Sequence, residues 1–519
     1  HIYKVKGWDY AGMCEAFEEG ISLARETHTP VLFHVEEITQ PQGHSTSGSH
    51  ERYKSRERLE WEREWDGIKK MREWILANAL AVGEELETIE HEAKEQVRDE
   101  KNHAWEIYLS PIKITVTKTV TLLEDVAAKI ASAQTEIATL KNELASIREP
   151  LRRDVMRIIG AALNAAGTHE AAYWLRDHYN DLLKESKELY NSLLYNEGQK
   201  SALKIEGSKV VYDTDAPTVN GFEVLNRYFD QLFAANPKVI AFGEDLGYIG
   251  DVNQGFSGLQ AKHGDNRIFD TGIRELTLLY GLEPLSDDVA SLFYRTKGQQ
   301  SCPIIVRTRG HRLEGIWHSG SPMGMVINAL RGMYVCVPRN MTQAVGMYNT
   351  LLRSNDPAIV VECLNGYRLK EKLPANLLDY TVPLGVPEFV KEGTDITLVS
   401  YGSTLRVVVE AAQTLDKFGI SCEVIDVQTL LPFDLQHKIL DSLKKTNRIA
   451  FIDEDVPGGA TAYMFQKVME EQGGYKFLDV APRTISAKAH RPPYGSDGDY
   501  FSKPNTEEIT TVVKAMLAE

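Results

Sequence analysis

The last 130 residues repeat one alternation, and it limits what the chain can fold into. DITLVSYG (395–402), ISCEVIDVQ (420–428) and NRIAFIDE (447–454) are apolar, β-branched runs of strand length. Between and after them stand STLRVVVEAAQTLDKFG (403–419) and GATAYMFQKVMEE (459–471), which carry apolar residues at helical spacing. Strands that are apolar throughout must be covered on both faces. Alternation with helices supplies that cover through right-handed crossovers onto a parallel sheet. Ligands of such sheets sit outside the carboxyl ends of the strands.

The same reading extends upstream. GFEVLNRYFDQLFAANP (221–237) is predicted as a helix and KVIAFGED (238–245) as a buried strand. A loop with Gly247, Gly250, Gly255 and Gly258 follows. RIFDT (267–271), PIIVRTRG (303–310), YVCVPRN (334–340) and PAIVVECL (357–364) are further strands, and 286–298 and 342–354 are helices. At the start, 15–26 reads as a helix and PVLFHVEE (30–37) as a strand. Residues 51–101 hold 26 charges above an apolar stripe that includes Trp61, Trp65, Ile68, Val82, Ile89 and Val97, a helix with a solvated outer face. From Val116 to Ile147 apolar residues step by three and four, a heptad seam. A second seam runs from Ala172 to Leu193, so 112–195 reads as a helical hairpin or coiled coil.

Composition excludes several functions. The net charge of −16 argues against a nucleic-acid binder. Five widely spaced cysteines (Cys14, Cys302, Cys336, Cys363, Cys422) make neither a metal knuckle nor a disulfide scaffold and fit a reducing cytoplasm. No apolar run is long enough to cross a membrane. HIYKVKGWDY is no signal peptide and lacks an initial Met, so the expectation is a chain that starts inside something longer or after processing.

Three stretches carry groups able to do chemistry. Gly43-His44-Ser45-Thr46-Ser47-Gly48 offers an imidazole and three hydroxyls to a phosphate or a carboxylate; an ordinary polar loop is the plain alternative. Phe242-Gly243-Glu244-Asp245, then Arg267-Ile268-Phe269-Asp270-Thr271-Gly272-Ile273-Arg274-Glu275, supplies carboxylates that also suit helix caps. Arg307-Thr308-Arg309-Gly310-His311, then Trp317-His318-Ser319-Gly320, sets a histidine after two arginines, an acid/base candidate for an anionic site, or a structural histidine.

Taken in order, GED, the glycine-rich loop, RIFDTGIRE, RTRGH, WHSGSP and VPRN resemble the β portion of a thiamine-diphosphate-dependent 2-oxo acid dehydrogenase, the decarboxylating component of the pyruvate and branched-chain complexes. VSYGS, EVIDVQTLLPFD and IDEDVPGG resemble that family's C-terminal domain, and TPVLFHVEEITQPQGHSTSGSHERYKS resembles the end of its α portion. The resemblance implies an α/β fold of transketolase-like parallel-sheet domains. In it, 1–105 end the α-like diphosphate domain, 106–215 form a helical linker, 216–380 form a β-like pyrimidine-binding domain and 381–519 a transketolase C-terminal-like domain.

By the same resemblance Glu275 holds the ring nitrogen of the cofactor's aminopyrimidine, His318 faces the reacting carbon as acid/base, and His44 lies beside the diphosphate. The cofactors implied are thiamine diphosphate and Mg²⁺, and the partner a lipoyl-bearing acyltransferase that accepts the acyl group. A homodimer of fused chains is expected, with no nucleic-acid or membrane partner, in the cytoplasm. The HSTS setting of His44 leans toward branched-chain 2-oxo acids over pyruvate. Transketolase-type ketol transfer and a non-catalytic assembly subunit are the alternatives. Two departures stand out. The GDG…N motif that binds Mg²⁺ in the family is not present in these residues. And the match jumps from Glu275 to Tyr280, where LTLL replaces a family helix, a strand and a stacking aromatic. A parallel crossover needs at least about a dozen residues, so the expectation is that residues of the natural chain are absent here.

Overall fold

The structure is a computed structural model that describes residues 1–40, 49–271, 281–310, 323–491, 493 and 495–519. The chain divides into two compact units, His1–Lys187 and Glu188–Glu519.

The first unit opens with one β-α-β crossover. β1 (Ile2–Lys6) pairs in parallel with β2 (Leu32–Glu36), joined by the helix Tyr10–Thr27, which starts where the Asp9 side chain accepts from Gly12 N. The charged stretch is three helices: Arg56–Glu64, Gly67–Ala77 and the first part of Gly83–Lys129. Ser55 and Asp66 side chains cap the first two and so divide them. The expected apolar stripe is not a buried face: Ile68, Val82, Ile89 and Val97 are all more than half exposed.

Of the two readings of 112–195, helical hairpin or coiled coil, the structure shows a hairpin. The seam from Val116 to Ile147 breaks at Ile130–Ala133, where Gly83–Lys129 turns back into Gln134–Ser146. Lys141 pairs with Glu124, and Trp105 donates to Glu149, so the two arms run antiparallel. Leu123, Val126, Ile137 and Leu144 pack on one another with Val155, Ile158, Ile159 and Ala162 of the helix Arg152–Ala166, and with Leu175 and Leu182 of Tyr173–Tyr190. A seam that closes on its own chain gives a helical bundle, because the four-residue connection Ile130–Ala133 lets neighbouring arms bury each other.

The second unit holds the parallel sheets. β4 (Ala241–Gly243) and β5 (Ile268–Asp270) form a two-stranded parallel pair, after the short β3 (Thr218–Asn220). β6 (Ile305–Arg309), β7 (Tyr334–Cys336) and β8 (Ala358–Glu362) are parallel, in the order β7-β8-β6. β9 (Lys370–Lys372) pairs with β3. A five-stranded sheet follows, in the order β10 (Glu388–Lys391), β12 (Cys422–Asp426), β11 (Ile396–Ser400), β14 (Ile449–Ile452), β15 (Arg483–Ile485). β13 (Thr429–Leu431) crosses over to pair with β7. One core spans both large sheets, with Val335, Ile359 and Val361 against Val399, Ile425 and Phe451. The fold is α/β, as expected. The strand read at 238–245 is short and not buried: Ile240 is 56% exposed and Phe242 60%. The stretch 286–298 is an irregular succession of short helical turns.

Candidate active site

β6 and β8 run in parallel with Arg307 beside Val360 and Arg309 beside Glu362, so charged side chains gather at their carboxyl ends. Arg307 Nε donates to Glu362 Oε1 at 2.9 Å and Nη1 to Asp251 Oδ2 at 2.7 Å. Its guanidinium lies 5.5 Å from the ring centroids of Phe229 and Phe256. Tyr348 OH donates to Glu362 Oε1 at 2.6 Å and Tyr367 OH donates to Oε2. Burial opposes the Arg307 charge, but Glu362 and Asp251 overcome it and hold the group well above the ordinary arginine range. Burial, and then the Glu362 carboxylate, push both phenols far up, so both keep their protons and donate.

Glu362 is fully buried and accepts from three donors. It is a node that sets geometry, with little capacity left to take a proton from a substrate. Arg307, read from sequence as part of an anionic site, has its charge answered inside the protein. Immediately beyond, Gly310 N bonds Glu362 O at 2.5 Å at the end of β6.

A second exit lies at β4 and β5. Thr271 N bonds Gly243 O, and Gly247 N donates to Asp270 Oδ2 at 2.9 Å. Glu244 and Thr271 therefore stand side by side at the carboxyl ends of the pair. The glycine-rich loop folds onto itself: Asp251 N bonds Asp245 O, Phe256 N bonds Gly250 O, and Asn253 N donates to Asp251 Oδ1. Those N–H groups are spent within the loop and do not form a phosphate cradle.

The third exit is in the first unit. Glu62, 2% exposed, accepts from Lys54 Nζ at 2.7 and 2.9 Å and from Arg58 Nε at 3.1 Å. Burial alone would raise its pKa; the two cations outweigh that and lower it. Lys54 also meets His50 at 3.3 Å, and Arg58 donates to Ile38 O at 3.4 Å, so one carboxylate ties down both stems of the stretch that holds His44. Sequence reading placed Glu62 on a solvated helix face. Its two cations, four and eight residues away, are a signal a spacing search can find.

His44, Glu275 and His318 lie outside the described residues. What is described is where their segments begin: at the end of β2, the end of β5 and the end of β6. Among the described residues no cluster of three His, Cys, Asp or Glu side chains is placed to hold a metal ion. Among the described residues no helix is long and apolar enough to cross a membrane.

Comparison with known proteins agrees with this order of segments. Residues 1–110 match the family described as dehydrogenase E1 component, and 385–503 match the transketolase C-terminal domain. The pyruvate dehydrogenase E1 component subunit beta of Acholeplasma laidlawii is 28% identical over 321 residues, covering 57% of this chain and 96% of that protein. The mitochondrial 2-oxoisovalerate dehydrogenase subunit beta of Dictyostelium discoideum is 30% identical, covering 49% of this chain and 75% of that protein. The pyruvate dehydrogenase E1 component subunit beta of Bacillus subtilis (strain 168) is 31% identical, covering 42% and 74%. With a dehydrogenase E1 match at one end, a transketolase C-terminal match towards the other and β-subunit relatives at 30 and 31% identity, the chain belongs to the family of thiamine-diphosphate-dependent 2-oxo acid dehydrogenase E1 components.

Proposed function

We propose that this chain decarboxylates a branched-chain 2-oxo acid and delivers the acyl group to a lipoyl group on a partner acyltransferase. The observation that carries the proposal is the presence in one chain of an E1 dehydrogenase segment at 1–110 and a β-subunit match over 57% of its length. Thiamine diphosphate, which membership of the family implies, supplies when bound the electron sink that loss of CO₂ from a 2-oxo acid requires. In the overall reaction the bond between the 2-oxo carbon and the carboxylate breaks. The acyl carbon forms a bond to one lipoyl sulfur, the lipoyl disulfide is reduced, and one proton is taken up on the other sulfur.

The chain's own residues are assigned as follows. Glu275 would hold the aminopyrimidine nitrogen, His318 would move a proton at the reacting carbon, and His44 would contact the diphosphate. Support comes from the order of motifs, and from the starts of the segments with Glu275 and His318 at the carboxyl ends of β5 and β6, where parallel sheets bind ligands. A homodimer of the fused chain brings each α-like segment to a β-like one. The preference for branched substrates rests on the HSTS sequence around His44; the relatives include both pyruvate and 2-oxoisovalerate dehydrogenases. The test is kcat/KM for 3-methyl-2-oxobutanoate against pyruvate. The proposal expects the branched acid to be favoured by about 10-fold, the worth of a small apolar difference in a pocket. A preference for pyruvate would overturn the substrate assignment.

A further inference from the structure

The long helix Gly83–Lys129 is covered along only part of its length. Leu109, Ile112, Thr119, Leu123 and Val126 are buried on the bundle side. From Glu84 to Tyr108 every residue except Leu86 and Glu95 is exposed, about 37 Å of helix. This stretch is nonetheless not polar all round. Ile89, Ala93, Val97, Ala104, Ile107 and Ile114 follow one another at steps of three, four or seven, so they share one face. Ile89, Val97, Ile107 and Ile114 are 58, 69, 60 and 70% exposed. The stripe stands about a third of a turn round the helix from the buried seam. It also avoids the side on which Arg72, of the helix Gly67–Ala77, pairs with Glu87 and Glu90. A row of branched apolar side chains left open over several turns is the mark of a surface that meets a partner.

The charge beside the stripe says what kind of partner fits. Glu85, Glu92, Asp99 and Glu106 recur every seventh residue and form one exposed flank. The other acids near them are answered: Glu87 and Glu90 by Arg72, and Glu95 by Arg98. Glu85 accepts from Val82 N at the start of the helix. Glu92, Asp99 and Glu106 have no ion-pair partner among the described residues. From Glu84 to Tyr108 nine acids stand against Lys94, Arg98 and Lys101, a net charge of −6. A second copy does not answer that row. In an antiparallel pair of such helices the row would face itself. In a parallel pair it would face Glu90, Val97, Ala104 and Pro111, which offer no cation. Glu100 interrupts the stripe and sets the same requirement at its centre.

We infer that the outer face of 85–114 is a docking surface for an amphipathic helix of a partner protein, apolar along one stripe and bearing Lys or Arg every seventh residue on its flank. The apolar stripes bury each other, as in helix-in-groove recognition. The cations of the partner meet Glu92, Asp99 and Glu106, and one more at the level of Glu100 fixes the register, as a single polar position does in a coiled coil. The inference rests on exposure and spacing within the first unit, not on the proposed reaction, so its failure would leave that reading standing.

The probe is a synthetic helix of about four heptads, with Leu at the stripe positions and Lys at the flank position of each. Its companion carries Glu in place of every Lys. Binding of each to the full chain is followed by fluorescence anisotropy. The Lys peptide should bind at least about 10-fold more tightly than the Glu peptide. It should weaken at least about 5-fold between about 0.05 and 0.5 M salt. A triple variant, Glu92→Lys, Asp99→Lys and Glu106→Lys, leaves the Glu85 cap in place and should exchange the two preferences. Ile89→Ser with Ile107→Ser should weaken the Lys peptide at least about 10-fold, with Tm within about 2 °C of the parent. An unchanged preference in the triple variant, or undiminished binding in the serine variant, would show attraction to acidic surface in general and overturn the inference. Self-association of the parent chain that the serine variant loses would give the stripe to a second copy and overturn it as well. Should the serine variant lose its fold, the exchange of preferences alone decides.

Discussion

Half-buried Arg307 on β6 reaches across to fully buried Glu362 on the neighbouring parallel strand, Nε to Oε1 at 2.9 Å. A buried pair of this kind is costly to break from one side. Arg307→Met would leave Glu362 and Asp251 as carboxylates without their cation. We expect a loss of about 3–5 kcal/mol in urea denaturation, larger than that of Glu362→Gln, which keeps the Tyr348 and Tyr367 contacts in place. A loss from Arg307→Met below about 1 kcal/mol would show that the network is not what holds the β6 exit.

His178 in the helical bundle sets a pH limit on the first unit. Thr119 Oγ1 spends its proton on Thr115 O at 2.8 Å, so toward His178 Nε2 at 3.1 Å it accepts; Nε2 carries the hydrogen. Nδ1 is buried and has no hydrogen-bond partner among the described residues. A second proton there would have no acceptor. Burial, and then Lys118, lower the pKa below its ordinary 6.5, against Asp181, Glu185 and Asp177, which act to raise it. The unfolded chain therefore binds this proton at a higher pH than the folded one. Its contribution to stability is fully present above pH 6.5 and lost as the pH falls below that value toward the folded pKa. Thermal unfolding between pH 7.5 and 5 should show Tm falling more steeply in the parent than in His178→Gln. Parallel curves would exclude the effect.

Gly250 has φ of +74° in the loop that follows β4, and an added Cβ there would stand 2.1 Å from Ser257 Cα. Gly250→Ala meets both backbone strain and a clash with main chain that cannot step aside. The expected loss is about 2–4 kcal/mol, read by chemical denaturation. Gly258→Ala shares the positive φ but meets nothing within 4 Å, so it should cost the strain alone, about 1 kcal/mol. Equal losses would mean that the loop does not fold onto Ser257.

The assigned acid/base groups should fail in different ways. Glu275→Gln should lower CO₂ release at least about 100-fold with a much smaller change in the affinity for thiamine diphosphate, measured by fluorescence quenching. His318→Ala should lower turnover while leaving cofactor affinity intact. Full activity in Glu275→Gln would move the role to another carboxylate, such as Glu244 just after β4.

How far the sequence could be read depended on the range of the interactions. The strands at 396–400, 422–426 and 449–452 were legible because buried parallel strands are apolar throughout, and their helices follow from the 3.6-residue period. The seam at 116–147 reads as apolar and leaves a helical hairpin and a coiled coil open, and the structure shows the hairpin. Periodicity reports a buried face but not whether the partner is another chain or the same one turned back at Ile130. The Glu362 node was invisible, since Asp251, Arg307, Tyr348 and Tyr367 meet only after the sheet has formed. Glu62 was misread for a related reason: a charge among charges looks solvated until its cations fold over it.

The most direct test of the account is release of labelled CO₂ from a 1-¹⁴C 2-oxo acid by the purified chain with thiamine diphosphate and Mg²⁺, with a lipoyl domain as acceptor and its acylation followed by mass. The account predicts CO₂ release that depends on the cofactor and matches lipoyl acylation one to one. Ketol transfer between sugar phosphates with no CO₂ from any 2-oxo acid would contradict it.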